Sequence, residues 1–96
     1  MALDNMYDLD DLKNHAEQLV FQEIEKRLEM RTLPKLAYNQ EIILDVAAYA
    51  LNHVKPLYRA TLLGRLFEHE QERLYRQDVE KAVTLAFEKI LANPSV

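Results

Sequence analysis

Ninety-six residues with one Gly, three Pro and 49% hydrophobic side chains predict one domain of helices joined by short loops. The absence of cysteine excludes disulfides, thiol nucleophiles and thiolate metal sites. The formal charge of −4 is uneven: 8 acids face 3 bases in residues 1–30, 2 face 5 in residues 31–65, and 6 face 4 in residues 66–96. An acidic chain with a basic centre is a poor general polyanion binder but can hold one small anionic ligand.

The N-terminal stretch is acidic where a signal peptide carries basic and apolar regions, and no run approaches the ~18 apolar residues of a membrane span. A cytoplasmic protein without a membrane partner is the expectation. The first helix is expected to start near Asp8 to Asp11, whose carboxylates suit a helix N-terminus, and to run to about Met30. Leu12, Ala16, Leu19, Val20, Ile24 and Leu28 form its apolar stripe, and Leu33-Pro34 ends it. Asn39 is a suitable cap for a second, central helix reaching about Val54, with apolar residues around most of its circumference. Its narrow polar stripe is Glu41, Asp45, Tyr49 and Asn52, and Lys55-Pro56 closes it.

A third helix is expected after Leu57 to Arg65, patterned on Leu62, Leu63, Leu66, Phe67 and Leu74, with residues 68–73 as a solvated face. The fourth, about residues 78–92, places Val79, Ala82, Val83, Ala86, Ile90 and Leu91 on one face and stops at Asn93-Pro94. The expected fold is therefore all-α: a compact four-helix domain over residues 1–96, with a long N-terminal helix, a buried central helix and two C-terminal helices. So short a chain buries a largely apolar helix poorly alone, which predicts a homodimer.

Signatures of catalysis are missing: there is no glycine-rich phosphate loop, no Gly-x-Ser-x-Gly and no His-Glu-x-x-His. Leu12, Ala50 and Leu66 stand three residues before His15, His53 and His69, so the Glu-x-x-His pairs of di-iron bundles are absent. Neighbours of His69 on a helix point about 100° apart and cannot close on one ion, so neither a catalytic residue nor a metal is expected. DNA binding is disfavoured, because Leu62-Leu63-Gly64 occupies the leading positions where a recognition helix needs polar, base-reading side chains.

The junction around the central helix carries the chemistry. Lys35, Tyr38 and Asn39 precede it, Asp45 lies on its polar stripe, and Lys55, Tyr58, Arg59, Thr61 and Arg65 follow. Cations for phosphates, a phenol for stacking and a carboxylate for a guanine edge suit a nucleotide with flat bases. The same residues also suit an ordinary polar loop, with Tyr58 anchored in the core and its hydroxyl in water.

Leu33-Pro34-Lys35, the run Asp45-Val46-Ala47-Ala48-Tyr49-Ala50-Leu51-Asn52-His53-Val54-Lys55-Pro56-Leu57-Tyr58, Thr61 and Gly64 resemble the late competence development protein family, ComFB. The likeness extends loosely through the flanking helices. It implies a small non-enzymatic helical domain, commonly dimeric, in a family connected with competence and with binding cyclic dinucleotides, cyclic di-GMP in particular. The ligand positions it implies are Lys35, Asp45, Tyr58 and Thr61, with Arg59 and Arg65 beside them. Some relatives carry zinc-binding cysteines just before the central helix. Residues 37–42 have none here, so zinc is not implied. Where the family often has Trp near the glycine, Arg65 and Leu66 follow Gly64. Two functions follow: a cyclic-dinucleotide sensor signalling to an unknown downstream protein, or a competence-related interaction or dimerisation module without a small ligand.

Overall fold

The computed structural model describes residues 2–59 and 69–93. Among them are three α-helices, α1 (His15–Glu29), α2 (Gln40–Leu51) and α3 (His69–Ala92), together with a two-residue antiparallel pair, β1 (Lys13–Asn14) with β2 (Tyr58–Arg59). The all-α expectation holds. Short 3-10 turns at Leu3–Asn5 and Lys35–Ala37 complete the regular structure.

The first helix begins at His15, later than the acidic cluster suggests. Asp8 Oδ1 accepts from the amide of Asp10 at 2.9 Å and closes a local turn instead of capping a helix. Asn14 is the cap: its side chain accepts from the amide of Ala16, while its extended backbone pairs with Tyr58. At the other end Met30 is the C-cap and Arg31 takes a left-handed conformation, φ 55°, which turns the chain towards Pro34.

Asn39 caps α2 through the amides of Glu41 and Ile42, as its sequence position predicts. The helix ends at Leu51 rather than Val54. Pro56 disfavours helical backbone at Lys55, and the following Leu57 is drawn away to bond with Asn14 and His15.

The two expected C-terminal helices are, over the described residues, one. Leu74 and Asp78 belong to the same helix, because the link Tyr75-Arg76-Gln77 contains no Gly or Pro to interrupt it. Ion pairs Arg73–Glu70 and Arg76–Glu72 bridge successive turns on the solvent side. The expected segment Leu62 to Phe67 lies outside the described residues.

The core is one cluster, filled at helical spacing from all three helices. Ala16, Val20 and Ile24 come from α1, Ile42, Val46 and Ala50 from α2, and Val79, Val83 and Ala86 from α3. Each buried Val or Ile contributes about 1.5–3 kcal/mol relative to exposure. The third helix packs along both others, most extensively on α2. Arg27, paired with Glu23 at 2.7 Å, also donates to the Glu80 carbonyl and ties α1 to α3. The central helix is less enclosed than its composition predicts: Ile42, Val46 and Ala50 are fully buried, but Leu44 is 58% exposed. Among the described residues no helix is long and apolar enough to cross a membrane.

Candidate functional site

Two hydrogen bonds define the end of the domain where the motif closes. The Leu57 amide donates to Asn14 Oδ1 at 2.9 Å, and the His15 amide donates to the Leu57 carbonyl at 2.7 Å. They seat Leu57 in the core and set Tyr58 and Arg59 opposite Asn14 and Lys13. The connector before them is held from α3, where the buried Tyr75 hydroxyl donates to the Lys55 carbonyl. Burial, and then the charge of Asp78, raise the Tyr75 pKa above its ordinary value.

A cleft of about 560 Å³ runs from this pair along the outer face of α1. Its size falls within the range of small-ligand sites, about 300–1,000 Å³. Tyr58 and Phe21 give it aromatic surface, each about half exposed. Lys13 and His15 line the end next to the strand pair. Gln18, Gln22 and Glu25 follow along the helix, with Glu17 in its first turn. The lining sets Lys13 against two carboxylates, Glu17 and Glu25, beside ring faces and amides that suit a flat, hydrogen-bonding base.

The expected ligand residues are dispersed about α2. Tyr58 is exposed and lines the cleft, with Arg59 next in β2, but the lining contains neither Lys35 nor Asp45. Lys35 opens the 3-10 turn before α2 and is exposed, Asp45 is half-buried on α2, and Tyr58 follows the opposite end of that helix. Its 12 residues cover about 18 Å. Thr61 and Arg65 lie outside the described residues. The alternative of Tyr58 as a core anchor does not describe this ring, which is 51% exposed; Leu57 and Tyr75 fill the core here.

Lys13, Gln18, Phe21 and Gln22 were not legible as site residues. In the sequence they are a solvated helix face beside an acidic stretch, and only the pairing of residues 13–14 with 58–59 brings them to the motif. His53 stacks on Tyr49 with ring centroids 4.2 Å apart, and its Nδ1 lies 2.7 Å from the Tyr49 carbonyl. Among the described residues no group of three or more His, Asp or Glu side chains is placed to hold a metal ion.

A second concavity, about 260 Å³ and almost wholly apolar, lies between α1 and α2. It is lined by Phe21, Ile24, Leu28, Ile43, Leu44 and Ala47, with Glu25 at its rim. Phe21 and Glu25 border both concavities, so the outer face of α1 connects them.

No curated protein and no solved structure matches the chain. The motif that ends in Tyr58 and the helices that present it lie within a match to one family over residues 13–94, and by that match the chain belongs to the late competence development protein ComFB family.

Proposed function

We propose that this protein is a non-enzymatic, competence-related regulator that binds a cyclic dinucleotide, cyclic di-GMP, as a cytoplasmic homodimer and signals to a downstream protein. The observation that supports the reading is the exposed Tyr58 ring, which lines a cleft that also holds Lys13, a second aromatic ring, amides and two carboxylates. Tyr58 stacks on a base, Arg59 and Arg65 take phosphate or a guanine Hoogsteen edge, and Thr61 adds a hydrogen bond. Lys35, before α2, and Asp45, at its middle, serve the same ligand class across the dimer. The apolar α1–α2 groove beside the cleft is the dimer face.

A thermal-shift panel of cyclic dinucleotides tests this directly, since ligand at about 100 times its Kd adds about 2.7 kcal/mol to the folded state. In calorimetry, Tyr58→Ala, Arg59→Ala and Asp45→Ala are expected to weaken binding by roughly ten- to a hundredfold. Glu88→Ala, on the exposed face of α3, leaves it unchanged. No heat with any cyclic dinucleotide, or wild-type affinity in all three site variants, rejects the ligand and leaves an interaction or dimerisation module.

A further inference from the structure

The register of the strand pair sets Lys13 directly opposite Arg59, at the end of the cleft where Tyr58 stands. Lys13 is exposed, lines the Tyr58 cleft, and makes no ion pair among the described residues. An anion in the cleft supplies a counter-charge to Lys13.

We infer that Lys13 is a phosphate-binding residue of the Tyr58 cleft, holding the phosphodiester of a nucleotide whose base lies along α1 between the Tyr58 and Phe21 rings. The polarity of the cleft sets that direction. Lys13 and His15 stand at the strand-pair end, whereas Gln22 and Glu25 stand two to three turns further along α1. A phosphate is drawn to the first end. Gln18 and Gln22 offer amide donors and acceptors, and Glu25 a carboxylate, to the edge of a base. Glu17, in the first turn of α1, disfavours a phosphate deeper along the helix.

This inference rests on the nucleotide reading above, and two probes separate the two. Amide spectra of ¹⁵N-labelled protein are recorded with cyclic di-GMP and, separately, with inorganic pyrophosphate, for wild type, Lys13→Gln and Lys13→Arg. Expected are shifts centred on Lys13, Asn14 and Tyr58 with both probes, binding weakened roughly ten- to a hundredfold in Lys13→Gln, and most affinity kept in Lys13→Arg. Cyclic di-GMP binding with its shifts elsewhere, or with unchanged affinity in Lys13→Gln, overturns the role of Lys13 and leaves the ligand standing. Pyrophosphate shifts at Lys13 and Tyr58 that vanish in Lys13→Gln, without any cyclic di-GMP binding, uphold the anion site and overturn that nucleotide. No response to either probe overturns both. Should Lys13→Gln fail to fold, the location of the wild-type shifts decides.

Discussion

Asn14 and Leu57, 43 positions apart, are joined through one oxygen: Asn14 Oδ1 accepts from the Leu57 amide at 2.9 Å and from the Ala16 amide at 3.1 Å. One bond caps α1, and the other fixes where the chain leaving α2 returns. The position of Tyr58 in the cleft follows from both.

Replacing Asn14 by Ala removes the cap and leaves the Leu57 amide without its acceptor, at a cost of about 2–4 kcal/mol. Asn14→Asp keeps an acceptor for both amides and adds a charge suited to a helix N-terminus, so it stays within about 1 kcal/mol of wild type. Urea denaturation of the two variants measures the difference. Equal stability of Asn14→Ala and wild type would show that the oxygen does not carry this load.

The Tyr75 hydroxyl links α3 to the Lys55 carbonyl, and Tyr75→Phe is expected to cost about 1 kcal/mol. Its pKa is raised in the folded state above the ordinary value near 10. The folded protein therefore keeps the phenol proton after the unfolded chain begins to lose it. The stability this contributes is complete below pH 10 and is lost as pH rises through the folded-state pKa. Denaturation curves at rising alkaline pH should fall more steeply for wild type than for Tyr75→Phe. Parallel curves would contradict the assignment.

Arg31 holds a φ of 55° just beyond the C-cap of α1. A side chain in this left-handed position costs about 1 kcal/mol relative to glycine. Arg31→Gly should recover roughly 0.5–1 kcal/mol, read as a higher melting temperature with unchanged far-ultraviolet dichroism. A lower melting temperature would mean that Arg31 makes contributions outweighing its backbone cost.

The apolar groove carries the dimer part of the proposal. Leu44 and Phe21 expose more than half their surface there, 58% and 52%, and a two-fold contact covers both copies of such a patch at once. Light scattering of wild type should give about twice the 11.3 kDa chain mass. Leu44→Glu places a charge in the apolar face and should give a folded monomer. A wild-type monomer at micromolar concentration, or a dimer that survives Leu44→Glu, removes the groove from the interface.

What the sequence determined by itself was local. Asn39 as a cap, Leu33-Pro34 and Asn93-Pro94 as stops, and the apolar spacing of Val20, Ile24, Val46 and Val83 follow from backbone sterics and helical periodicity, which act within a few residues. The motif from Asp45 to Tyr58 was likewise legible as a family likeness. Tertiary structure decided the rest. Asp10 and Asp11 are as good caps as Asn14 on local grounds, and only the bond from Leu57 selects Asn14. Lys13 and Tyr58 share a cleft because residues 13–14 pair with 58–59. Such a pairing joins segments far apart in the chain, and its energy is realised only once the core has brought them together.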